Sequence, residues 1–142
     1  MATITKHTND TPAVSGLHST VICASNQLDF SLTGNNVAAA DVVQAVKIPA
    51  GAYVVNVAVI VDTAEGSACT ATVGDADGAS SWDASTNLNA SANTETAGLA
   101  GTDAYATAGK YYPTEDTIDL TMDNAASTAK ITVMAFYLLR AV

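Results

Sequence analysis

The chain predicts an all-β fold, an antiparallel β-sandwich or jelly roll with an extended N-terminal arm. Three observations predict it. Apolar residues recur with period two in several short runs, the repeat of a strand with one buried face. Clusters of Gly, Pro, Asn and Asp separate the runs. No pattern of helical period lasts beyond a turn or two. Seven or eight such strands with turns between them are the signature of a two-sheet fold.

Thr20–Ala24 (TVICA) is a short β-branched strand. Gln27–Thr33 alternates, with Leu28, Phe30 and Leu32 on one face and Asp29 and Ser31 on the other. NNVAAADVV suits a helical turn, but DVVQAVKIP reads as a strand ending at Pro49. Pro49-Ala50-Gly51 supplies a turn, with proline at its second position and glycine at its fourth. Tyr53–Asp62 is the strongest strand. Tyr53, Val55, Val57, Val59 and Val61 share one face, and Val54, Asn56, Ala58 and Ile60 the other.

Ala68–Val73 alternates again, with Cys69, Ala71 and Val73 together. Gly74-Asp75-Ala76-Asp77-Gly78 is a turn, and Trp82–Leu88 resumes a strand. Residues 89–109 are rich in Ala, Thr, Gly, Asn and Ser and read as a long loop with a short edge strand, closed by Tyr111-Tyr112-Pro113. Thr117–Asp123 turns Ile118, Leu120 and Met122 inward and Asp119, Thr121 and Asp123 to water. Lys130–Leu139 is apolar on both faces and is expected at the centre of a sheet. Residues 1–19 hold Pro12 and Gly16 and lack strand periodicity beyond Thr3–Thr5, so they are expected to form the arm. Residues 20–142 are expected to form the sandwich domain.

A chain of 142 residues fits one domain and can bury a core without staples. Apolar residues make up 49 %, which argues against global disorder. Many of them are alanine, which contributes little burial, so part of the stability is expected from association with copies of itself or a larger surface. The net charge is −9, from 14 acids against five Lys and Arg. Such a surface repels phosphate backbones and anionic lipid, so neither nucleic acid nor membrane is an expected partner. Residues 1–28 carry only Lys6 and Asp10, whereas the other thirteen acids lie between Asp29 and Asp123. The N-terminus MATITKHTNDTP has no apolar segment of the signal-peptide kind, and synthesis in a cytoplasm is expected. Cys23 and Cys69 define no disulfide framework and read as buried thiols.

Motifs that would carry chemistry are thin. Asp75-Ala76-Asp77-Gly78 loosely resembles an EF-hand loop but lacks the terminal glutamate and flanking helices. A turn is the better reading, with calcium on Asp75, Asp77 and Asp83 as the sharper alternative. His7 and His18 have no converging ligands, and no cofactor or metal is expected. No serine sits in a nucleophile elbow, and both histidines lie in the arm, so no catalytic residues are assigned. Glu115 and Asp116 are adjacent just before a strand, where neighbouring residues point to opposite faces, which makes no carboxylate dyad. Trp82, Tyr105, Tyr111 and Tyr112 suit packing or subunit contacts better than sugar stacking.

The run VKIPAGAYVVNVAVIVDTAEGSACTATVGDADGASSWDAS resembles small jelly-roll proteins among the structural proteins of tailed bacteriophages. The likeness is carried by Ile48–Gly51 entering Tyr53–Val61, by Thr72–Asp75 with Asp77-Gly78 after it, and by Lys110-Tyr111-Tyr112 before an Ile-Asp-Leu strand. It covers about residues 42–139. It implies a non-enzymatic virion protein, a capsid decoration or cement protein. Such a protein would be a homotrimer, assembled in the host cytoplasm, on the outer face of the major capsid protein lattice. Ile4, Val14 and Leu17 of the arm, with Trp82, Tyr111 and Tyr112, are the expected docking residues. The alternative is a head-fibre or tail-associated module that attaches to host-surface glycans. A secreted or surface β-sandwich of unknown ligand is a third reading.

Overall fold

A computed structural model describes Thr3–Thr5 and residues 20–97 and 103–139. The strands are β1 (Thr3–Thr5), β2 (Val21–Asp29), β3 (Val42–Ile48), β4 (Ala52–Thr63), β5 (Thr70–Gly74), β6 (Asp83–Asn87) and β7 (Thr94–Ala97). A short helix, α1 (Ala104–Ala108), precedes β8 (Lys110–Tyr112), β9 (Asp116–Met122) and β10 (Lys130–Leu139). Two antiparallel sheets form a sandwich. One runs β1-β2-β10-β4-β7, with β8 also paired to β4, and the other runs β3-β9-β5-β6. From β2 to β5 every connection crosses between the sheets, as do those around β9. The two inner faces close on one core, in which Val, Ile and Leu alternate with small alanines such as Ala71 and Ala135.

β10 takes the central place expected of it, between β2 and β4. Ile131, Val133, Ala135 and Tyr137 point into the core. Met134, Phe136 and Leu138 lie half-buried on the outer face. Ile118, Leu120 and Met122 of β9 and Cys69, Ala71 and Val73 at β5 are buried as their alternation predicts.

Several expectations shift by one residue, each for a local reason. Thr20–Ala24 and Gln27–Thr33 are not two strands. β2 runs unbroken from Val21 to Asp29, and Leu32 lies in the turn beyond it, 55 % exposed. The Pro49 turn closes with the Ala52 N–H donating to the Pro49 carbonyl at 3.2 Å. Proline therefore holds the first position, and Gly51, at φ 83°, the third, where a type II turn needs positive φ. In β4 the pairing passes from Phe136 opposite Asn56 to Tyr137 opposite Val54, which leaves Val55 as the extra residue of a bulge. The bulge reverses the phase of the strand. Ala52 and Val54 face the core before it, and Val57, Val59 and Val61 after it. Tyr53 and Val55, expected beside those valines, belong to the outer side.

Residues 89–109 hold the expected edge strand as β7, and also α1, which alternation could not reveal. Asp119 points to the outer side of its sheet but is only 8 % exposed. It lies opposite Gly74, whose missing side chain leaves it room. A Cβ on Gly74 would meet the Gly78 carbonyl oxygen at 2.0 Å, so the Asp75–Gly78 turn folds back against bare backbone. Cys69 is buried and Cys23 half-buried, and both are free thiols.

Candidate interaction surface

Two polar clusters hold the loops of the sandwich. The first centres on Asp75, which is 3 % exposed. Its Oδ1 accepts the N–H groups of Asp77 and Gly78 at 3.0 and 3.1 Å. Its Oδ2 accepts from Lys110 Nζ at 2.7 Å and from the Tyr112 hydroxyl at 2.6 Å. Lys110 also reaches Asp77 at 2.8 Å and lies over the rings of Tyr105 and Tyr112. Trp82 Nε1 donates to the Tyr112 hydroxyl at 3.3 Å, and its ring meets Tyr105 edge-on. The cluster thus ties the β5–β6 turn to β8 and α1. With four donors on its two oxygens, Asp75 acts as an anion clamped by protein groups. Burial pulls the Lys110 ammonium down, but the Asp75 and Asp77 carboxylates outweigh it and hold the group far above its ordinary value. Burial and the bond to Asp75 push the Tyr112 phenol well above its usual range.

The second cluster centres on Glu65, which is 8 % exposed. Its carboxylate accepts the N–H groups of Ser127, Thr128 and Ala129 at 2.9, 2.9 and 2.7 Å, and the Ser127 hydroxyl at 3.2 Å. The Thr128 hydroxyl donates to the Glu65 carbonyl. One side chain thereby caps the β9–β10 loop. Burial raises the Glu65 carboxyl more than any other single influence, yet the three backbone donors together leave it below its ordinary value.

The residues expected to dock divide sharply. Trp82 and Tyr112 are 2 % and 1 % exposed and belong to the core and the Asp75 cluster, so they present no surface to a partner. Tyr111, the next residue along β8, points outward and is 41 % exposed. The alternation of a strand separates the two tyrosines. The side chain of Ile4 and the whole of Val14 and Leu17 lie outside the described residues. The backbone of Thr3–Thr5 is described, and it pairs antiparallel with Cys23–Ser25 at the edge of β2. Asp83, weighed as a cation ligand beside Asp75 and Asp77, accepts the Thr86 hydroxyl and the Ser85 N–H instead. Among the described residues no group of three His, Cys, Asp or Glu side chains could hold a metal ion.

Glu65 and Lys110 were not legible as key residues. Each is a single charge in a polar turn or at a strand start, and the groups it hydrogen-bonds lie 33 to 64 positions away. Asp75 was visible only as part of a turn.

No protein-family model matches the chain, and no curated protein matches its sequence. Solved structures do match it in fold. A chain of the cyanophage Pam1 capsid superposes with a TM-score of 0.64 at 20 % identity, over 89 % of each chain. A chain of the acidic stable capsid structure of Helicobacter pylori bacteriophage KHP30 gives 0.61 at 17 % identity, over 99 % of this chain and 95 % of that one. A chain of the capsid of Ralstonia phage GP4 gives 0.60 at 16 % identity, over 92 % and 91 %. The fold neighbours of this sandwich are thus phage capsid proteins, matched nearly end to end.

Proposed function

We propose that the chain is a structural protein of a bacteriophage virion, one that decorates the capsid. Copies bind the outer face of the major capsid protein lattice, associate with one another as homotrimers and stiffen the head. The observation that carries this reading is the near-complete mutual coverage with three capsid chains, at 89 % or more of either partner. The likeness therefore belongs to a whole unit and not to one sheet common to many sandwiches. The surface supports the reading. Its charge is strongly negative, which keeps free copies soluble before assembly. Its two polar clusters, around Asp75 and Glu65, lock loops of the sandwich in place. A glycan-binding module would need exposed aromatic faces, and of Trp82, Tyr105, Tyr111 and Tyr112 only Tyr111 is exposed.

The N-terminal segment is the proposed anchor. It is nearly uncharged beside an acidic body, and an extended segment can add main-chain hydrogen bonds to a partner sheet. The test is to mix purified protein with heads that lack it and to measure bound copies and the heat resistance of the particle. Saturable binding in hundreds of copies with a raised disruption temperature is expected. Deleting residues 1–17, which takes the three-residue edge strand β1 with it, should keep the domain folded, with a melting temperature lower by no more than about 5 °C, while weakening head binding at least about tenfold. A full chain that leaves such heads bare would refute the decoration role. A truncated chain that binds as tightly as the full one would refute the anchor.

A further inference from the structure

The Asp75 cluster holds an amine and a carboxyl group in a reactive arrangement. The Asp75 side chain is fully buried and that of Lys110 is 13 % exposed. Lys110 Nζ stands 2.7 Å from Asp75 Oδ2. A contact of that length to a carboxylate oxygen leaves the nitrogen about 3.5 Å from the carboxyl carbon, within reach of attack. The rings of Tyr105 and Tyr112 lie 4.7 and 4.8 Å from Nζ, and buried Trp82 packs edge-on against Tyr105.

The two carboxylate oxygens differ in their partners. Oδ1 accepts two backbone N–H groups, from Asp77 and Gly78 at 3.0 and 3.1 Å, the kind of donor pair that holds an oxyanion in acyl transfer. Oδ2 accepts the Tyr112 hydroxyl at 2.6 Å, and that hydroxyl accepts in turn from Trp82 Nε1. A second carboxylate, Asp77, lies 2.8 Å from the same Nζ, with its side chain 75 % exposed. Nucleophile, acyl carbon, oxyanion donors, a donor to the leaving oxygen and a proton acceptor thus meet at one point.

We propose that Lys110 and Asp75 condense to an isopeptide bond that staples the two sheets together. One ammonium proton crosses the hydrogen bond from Nζ to Oδ2, giving a neutral amine beside a carboxylic acid. Burial favours that exchange, because it removes two charges from a site that solvates them poorly. Nζ then bonds to the carboxyl carbon, and the charge that develops on Oδ1 falls on the Asp77 and Gly78 N–H groups. Asp77 takes a second proton from the nitrogen and gives it up as the Cγ–Oδ2 bond breaks. Oδ2 leaves as water, with both its protons supplied by the ammonium, and one amide N–H remains. No oxidant or other reactant is needed. Two groups held in contact react at an effective concentration of about 10⁵–10⁸ M, which offsets the poor reactivity of a carboxylate. At rest both groups are charged, so proton transfer makes the step slow and the structure shows the pair before reaction. The bond joins the β5–β6 turn of the four-stranded sheet to β8 of the six-stranded sheet, across 35 positions of chain. It requires nothing of the virion reading and stands whether or not the chain coats a capsid.

The experiment follows the purified full chain, Lys110→Arg and Asp77→Ser by intact mass and tryptic mapping over several days near physiological temperature. The full chain should lose one water, about 18 Da. Trypsin should then fail to cut after Lys110, so that residues 48–130 appear as one looped peptide carrying the loss. Lys110→Arg keeps a cation beside Asp75 but offers no such amine, and it should keep its full mass. Asp77→Ser alters an exposed side chain, so it should fold and lose water at least about tenfold more slowly. A full chain that keeps its full mass overturns the inference. So does a loss of water that leaves cleavage after Lys110 intact or persists in Lys110→Arg, because Asp77-Gly78 would then have closed on itself to a succinimide. Should Lys110→Arg fail to fold, the tryptic map of the full chain decides alone.

Discussion

Glu65→Ala should unfasten the β9–β10 loop. The side chain lost is the acceptor for three backbone N–H groups and one hydroxyl. Ser127 and Thr128 are exposed, so water can replace the carboxylate there at small cost. Ala129 is fully buried, out of reach of such rescue, and its N–H donates to the Glu65 carboxylate at 2.7 Å. An orphaned buried donor costs about 1–3 kcal/mol, and a hydrogen bond to a charged acceptor contributes about 1.5–3 kcal/mol. With the two loop donors largely rescued by water, the net loss is about 3 kcal/mol. For a domain of this length that corresponds to a melting temperature lower by about 10 °C.

The carboxyl is held below its ordinary value in the folded state. Its contribution is therefore complete above the unfolded carboxyl range and fades as pH falls through the folded value. Thermal melts of wild type and Glu65→Ala at pH 7, 5 and 3 would check both points. The gap between them should be widest at pH 7 and narrow in acid. A gap under about 2 °C at pH 7, or one that stays constant into acid, would refute the account of Glu65 as an ionised loop cap.

Lys110→Met should destabilise by about 3–5 kcal/mol, because it leaves the Asp75 carboxylate buried with its cation gone; urea unfolding at pH 7 measures it. Since the Lys110 ammonium is held above its ordinary value, the wild-type contribution is complete below the unfolded lysine range and is lost only as pH rises through the folded value. The advantage of wild type over the variant should therefore persist at pH 9. Asp119 moves the other way. Burial is the main cause that raises its carboxyl, so ionisation weighs against the fold at neutral pH and the penalty disappears as pH falls. Asp119→Asn should match or exceed wild type by up to about 1 kcal/mol at pH 7 in the same urea assay, with no difference near pH 3.

Alternation is a local property, so the class of fold and most of the strands were legible in the chain alone. Ile118, Leu120 and Met122 read correctly because the irregularity in the pairing of β9 falls on β3, between Gln44 and Val46, and leaves the alternation of β9 intact. Lys130–Leu139 read as central because both of its faces are apolar. The strongly negative charge needed no coordinates either. Phase and partnership were decided in three dimensions. The bulge at Val55 depends on how β4 fits β10, some 80 residues later, and it alone sends Tyr53 and Val55 outward. Trp82 and Tyr112 looked like surface anchors because an aromatic near a loop carries no local sign of burial. Only the meeting of the β5–β6 turn with β8 places them around Asp75. Likewise Val21, Leu138, Tyr53 and Tyr111, far apart in the chain, stand side by side only because antiparallel pairing across four strands puts them there.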